Sequence, residues 1–139
     1  ILSVAAVTAG GAAGASHTIL RSFAGATGDG EGPGHGLVSD GSTLYGTTAE
    51  GGAQGKGTIF SIRTDGGDFT LLHESAGADG EYPWGPLILN GDALHGVTGL
   101  GGASDKGTVY SFSRAPEPTP TPVRIDFQPA EYPPLPARG

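Results

Sequence analysis

Apolar residues in this chain gather in short runs rich in Val, Ile, Leu, Phe and Tyr, and turn residues such as Gly, Asp, Asn and Pro lie between them. The runs lie at 18–23, 36–39, 43–48 and 57–63, and again at 69–73, 86–89, 93–98 and 107–113. β-Branched and aromatic runs of this length between turn residues predict strands. Asp40-Gly41 and Asn90-Gly91 stand between neighbouring runs and supply the φ > 0 positions of a tight hairpin. Gly51-Gly52 and Gly101-Gly102 mark glycine-rich loops before the last run of each group. No stretch of about 12 residues free of Gly and Pro carries helical apolar spacing, which excludes a helical bundle. No apolar stretch approaches the ~20 residues of a membrane-spanning helix.

The two groups of runs are copies of one another. Asp29-Gly30-Glu31 recurs as Asp79-Gly80-Glu81, and Gly51-Gly52-Ala53 as Gly101-Gly102-Ala103. Lys56-Gly57-Thr58-Ile59-Phe60-Ser61 recurs as Lys106-Gly107-Thr108-Val109-Tyr110-Ser111. At this offset of 50, residues 29–62 and 79–112 share 16 identities in 34 positions. Upstream, Thr18-Ile19-Leu20 matches Thr70-Leu71-Leu72 at offset 52. Each copy therefore predicts a four-stranded antiparallel unit, and the chain as a whole is all-β. Such units suit a propeller blade or half of a small two-sheet sandwich. Leu44, Ile59, Phe60, Leu72, Leu87, Leu94, Val109 and Tyr110 are the expected core. Gly46, Gly57, Gly96 and Gly107 are expected to be required by the backbone.

Leu-Tyr-Gly-Thr-Thr at 44–48, Gly-Gly at 51–52 and Gly-Lys-Gly-Thr-Ile-Phe at 55–60 resemble the tandem GloVer repeat of secreted bacterial proteins. Residues 69–73, Ala78-Asp79-Gly80 and 83–87 continue the likeness, which runs over roughly 17–113. The resemblance implies an extracellular, β-rich, propeller-like repeat protein without a settled enzymatic activity. The second copy departs from the motif at Leu94-His95-Gly96-Val97-Thr98.

Outside the copies the composition changes. An apolar arm, 1–16, precedes the repeat units 17–68 and 69–115. A Pro/Thr spacer, 116–122, then leads to a C-terminal strand and Pro-rich tail, 123–139. The opening residues read as a mature arm, with the remnant of a signal segment as the alternative. Thr119 and Thr121 in the spacer are candidate O-glycosylation sites. The chain holds 7 basic and 14 acidic residues, a net charge of -7, which argues against nucleic acid and against insertion into or binding to membranes. It has no cysteine, so no disulfide or thiolate metal site is available.

Little in the sequence points to catalysis, and no enzyme and no cofactor are expected. The Gly51–Thr58 stretch fails as a phosphate loop, because Glu50 stands where its first glycine belongs and Gly57 follows Lys56. His17, His35, His73 and His95 lack paired ligand spacing. Asp29 with Glu31, and Asp79 with Glu81, lie in equivalent loops that read first as Asp-Gly turns, with calcium binding or a two-acid glycosidase pair as alternatives. Tyr82 and Trp84 form an aromatic knot private to the second copy, suited to packing or to stacking on a sugar.

These readings converge on an extracellular structural protein that polymerises with itself, with a glycan-binding module as the alternative. Two units leave sheet edges open, and open edges invite another strand. Two arms are candidates: the N-terminal one, through Ile1, Leu2, Val4 and Val7, and the C-terminal one, through Val123, Ile125 and Phe127. In the latter, apolar residues alternate with Arg124 and Asp126, as in a half-buried strand. The extended stretch Ala115–Pro122 reaches roughly 25 Å, enough to meet a neighbour. The competing outcome is that either arm folds back on its own sheet.

Overall fold

The computed structural model describes residues 6, 7 and 14–114. Ile1, Leu2, Val4, Thr119, Thr121, Val123, Ile125 and Phe127 therefore lie outside the described residues. The chain is all-β, with no helix among the described residues. Among the described residues ten strands follow in order: β1 (Ala6–Val7), β2 (His17–Thr18), β3 (Gly30–Pro33), β4 (Val38–Ser39), β5 (Thr43–Gly51), β6 (Thr58–Arg63), β7 (Thr70–Glu74), β8 (Glu81–Asn90), β9 (Ala93–Leu100) and β10 (Thr108–Ser113). All pairings are antiparallel. They make a β1–β2 ribbon, a five-stranded sheet β3–β5–β6–β7 with β4 also on β5, and a three-stranded sheet β8–β9–β10.

The strands divide five and three, where the repeat predicts four and four. β7 opens the second copy in sequence but hydrogen-bonds to β6 of the first, Ile59 opposite His73 and Ser61 opposite Thr70. β3 was not expected, because Asp-Gly reads as a turn. It pairs through Gly30 opposite Gly51, and Gly51 (φ +86°) lies so close to the backbone of Gly30 and Glu31 that a Cβ would sit 2.7 Å from it. Of the run 18–23, only the first residue joins a strand; Val7 pairs with His17 within the same chain.

The hairpins form where turn chemistry placed them. Asp40 Oδ1 accepts the amides of Ser42 and Thr43 at 3.1 and 2.9 Å, closing the β4–β5 turn. Gly41 and Gly91 both take positive φ, +106° and +59°.

Alternation along β5 and β6 sorts their side chains onto two faces. One face of the first sheet carries Tyr45 and Ile59, which pack on Leu87 and Leu94 of the second, with Tyr110 and Phe112 against them. Burying Ile59 or Leu94 contributes about 1.5–3 kcal/mol each. The other face of the first sheet carries Phe60 and Ile62, roofed by the irregular segment 19–23. There the Phe23 ring lies 5.1 Å from Phe60 and 5.7 Å from Phe69. Ile59, Phe60, Leu87 and Leu94 are buried as expected, while Leu44, Leu72 and Tyr110 are half-buried. Val109 is a correction: it stands where Ile59 stands in the first unit, yet it is 84% exposed. The second unit covers the Ile59 face, and nothing among the described residues covers the Val109 face. Tyr45 and Ile62 join the core in addition.

Two glycines show why this fold needs them. Gly57 has φ +103°, and a Cβ there would meet Pro83 and the Thr48 carbonyl, the latter at 2.6 Å. Gly96 lies under the Tyr110 hydroxyl, which leaves no room for a side chain.

Candidate functional site

The acidic loops are occupied by basic side chains of the same chain. Asp29 Oδ1 sits 3.0 Å from Arg21 Nη2, and Asp29 also accepts the amides of Ala24 and Gly30 at 2.7 and 2.9 Å. Burial pushes the Asp29 carboxyl up, but those amides and the guanidinium outweigh it and hold the group below its ordinary value. The second copy repeats the device with different chemistry: Asp79 Oδ2 meets His73 Nε2 at 2.7 Å and Oδ1 accepts the Ala76 amide at 2.9 Å. Its carboxyl is likewise lowered, burial opposing and the Ala76 amide and His73 prevailing. Glu81 binds Lys56 Nζ at 2.6 Å, and Glu31 is exposed. Asp29 with Glu31 and Asp79 with Glu81 thus do not converge as acid pairs. Among the described residues no three His, Asp or Glu side chains gather in a metal-binding group. At the offset of 52 Arg21 and His73 stand at equivalent positions, which is the signal in the sequence that could have pointed to these contacts.

The contact between the two units is the most elaborate polar region. Arg114 Nη1 donates to Asp40 Oδ2 and to the Tyr45 hydroxyl, both at 2.7 Å. Its Nη2 donates to Gly91 O at 3.1 Å and to Asp92 Oδ1 at 3.2 Å. The guanidinium also lies 5.1 Å from the Tyr45 ring centroid. One side chain thereby ties the hairpin turn of the first unit to that of the second. The amides of Ser42 and Thr43, with Arg114 and Tyr45, hold the Asp40 carboxyl far below its ordinary value. Sequence reasoning missed this clamp, because Arg114 follows the last motif and stands where the first copy has Thr64.

A cleft of about 150 Å³ opens between the sheets, lined by Ile59, His73, Ser75, Tyr110 and Phe112 among others. The Tyr110 hydroxyl is buried without a hydrogen-bond partner among the described residues, and burial raises its pKa to about 12. A phenol at that value stays neutral at physiological pH and does not act as a base there.

Tyr82 and Trp84 take different roles. Tyr82 has φ +56° and its amide donates to Lys56 O at 2.9 Å, so it belongs to the joint between units. Trp84 is 61% exposed, with its ring 4.8 Å from His35. The edges of the two sheets also differ. β6 is flanked by β7, whereas no strand among the described residues lies on the outer side of β10.

Comparison with known proteins agrees with the internal duplication. The profile of the Gloeobacter/Verrucomicrobia repeat matches residues 7–133. No curated protein and no solved structure matches the chain. With the profile spanning both copies, part of the arm before them and most of the tail, this chain belongs to the Gloeobacter/Verrucomicrobia repeat family.

Proposed function

We propose that this protein is an extracellular, non-enzymatic structural subunit that assembles with itself by strand addition. The observation that carries the reading is the outer side of β10. Thr58, Ile59, Phe60 and Ser61 of β6 pair with β7, while among the described residues their counterparts Thr108, Val109, Tyr110 and Ser111 lie at the edge of their sheet. A strand laid there gains main-chain hydrogen bonds for affinity and alternate side chains for register. The donor we assign is residues 123–127 of a neighbouring copy, with Val123, Ile125 and Phe127 turned to the receiving sheet. The extracellular placement is supported by the likeness to secreted repeat proteins, and Thr119 and Thr121 in the spacer suit O-glycosylation. Sedimentation and negative-stain microscopy of the full chain test the reading. Ile125→Pro should abolish fibres or higher oligomers, and unchanged assembly of that variant refutes strand donation.

A second reading, glycan binding, is favoured by exposed Trp84, whose flat indole can stack on a sugar ring. Wild-type binding to polysaccharide that Trp84→Ala removes would support it.

A further inference from the structure

The two sheets are built alike, and so are their faces. Val38, Tyr45, Thr47 and Ile59 share the face of the first sheet that meets the second unit. Fifty residues on, Ile88, His95, Val97 and Val109 share the corresponding face of the second sheet. The apolar character survives while the cover does not: Ile59 is 2% exposed, against 84% for Val109, 65% for Ile88 and 41% for Val97. These side chains surround a shallow depression of about 180 Å³ rimmed by Trp84 and Pro86. A contiguous exposed apolar patch on a small domain marks a contact surface.

We propose that this face docks a second copy of the chain, face to face about a two-fold axis. The internal contact seats a Tyr45/Ile59-type face on a Leu87/Leu94-type face. The first unit's version of the latter is partly roofed by 19–23: Phe60 and Ile62 are 4% and 3% exposed, while Leu37 at its margin is 55% exposed beside a cavity of about 530 Å³. That roof obstructs a flat sheet face stacking head-to-tail, and the matching uncovered face on a second copy is the Val109 face itself. That face presents no Asp, Glu, Lys or Arg, although the chain carries a net charge of -7. A symmetric contact there brings no formal charges into opposition, which a self-complementary interface requires. Residues 115–139 hold eight prolines and carry no Gly-Lys-Gly-Thr motif.

The inference rests on the self-association proposed above and adds a second contact to it, so the two must be separated experimentally. Sedimentation equilibrium of the full chain as wild type, Val109→Glu, Ile88→Glu and Ile125→Pro does so. The wild type should show a dimerisation step that both Glu variants weaken at least tenfold, with unchanged circular dichroism and melting temperature because both sites are exposed. Ile125→Pro should keep that dimer and lose only longer assemblies. A dimer that survives both Glu substitutions, or a wild type that stays monomeric across the concentration range, overturns the proposal. Glu variants that keep the dimer while Ile125→Pro abolishes it leave strand donation standing and the face-to-face contact refuted.

Discussion

Thr48 and Thr58 face each other across β5 and β6 with their hydroxyl oxygens 2.8 Å apart, and Thr98 and Thr108 repeat the contact at 2.8 Å. Thr48 also donates to Glu50 O at 2.8 Å, and Thr98 to Leu100 O at 2.9 Å. A hydroxyl has one proton to give. The direction of each pair is therefore set: Thr58 donates to Thr48, and Thr108 donates to Thr98. Thr48→Val leaves a buried hydroxyl and a carbonyl without partners and should cost about 1–3 kcal/mol in urea unfolding. Adding Thr58→Val should cost less than the sum of the single changes, because the second substitution removes the orphaned hydroxyl.

Gly57 tests the backbone argument. Gly57→Ala places a Cβ against Pro83 and the Thr48 carbonyl at a φ of +103°. The left-handed conformation alone costs about 1–2 kcal/mol, and the clash adds to it. Gly34→Ala, where a Cβ meets nothing within 4 Å, should stay within about 0.5 kcal/mol of wild type. Equal denaturation midpoints for the two variants would contradict the assignment.

The lowered carboxyls of Asp29 and Asp79 set an acid limit. A carboxyl depressed in the fold contributes stability that is present above its unfolded value of 3.8 and lost as pH falls through the folded value. Melting temperature should hold from neutrality down to about pH 4 and fall below it. Asp29→Asn should cost about 1.5–3 kcal/mol at neutral pH and flatten the acid fall, because it breaks charge-assisted bonds at a buried site. Asp79→Asn should cost less than about 1 kcal/mol, since its side chain is 43% exposed.

Arg114 should matter more than its place at the end of the second copy suggests. Arg114→Ala breaks four hydrogen bonds spanning both units, whereas Arg63 makes two looser ion pairs at 3.5 and 3.6 Å on the surface. The first variant should lower the melting temperature clearly more than Arg63→Ala. Arg114→Lys should fail to restore it, because one ammonium does not replace the guanidinium fork.

Most of the strands, though not the run 18–23, and both hairpins were legible because alternation and the Asp-Gly and Asn-Gly dipeptides are local signals. β3 was not, since its pairing depends on Gly51 admitting another backbone, a contact between residues far apart in sequence. Val109 shows a different limit. Its apolar character matches Ile59, but burial depends on what lies over the sheet, and the copies differ in their neighbours. The Asp29 and Asp79 loops were found as equivalent sites, and their partners were visible only in the alignment of Arg21 with His73. The Arg114 clamp left no trace in the repeat because it belongs to the joint between copies.

The pairing of β7 with β6 puts the repeat out of step with the sheets. A segment counted from one copy to the next begins with the strand that finishes the preceding sheet. Inserting or deleting a whole copy between existing ones therefore leaves each interior sheet complete, since every copy borrows its last strand from the copy behind it. Growth or loss of such an array costs little in edge exposure along its length, and the open hydrogen bonds are always passed to the end. The same stagger binds neighbours mechanically: the first sheet cannot unfold without stripping a strand from the second copy's chain, so heat or denaturant should melt the two units as one.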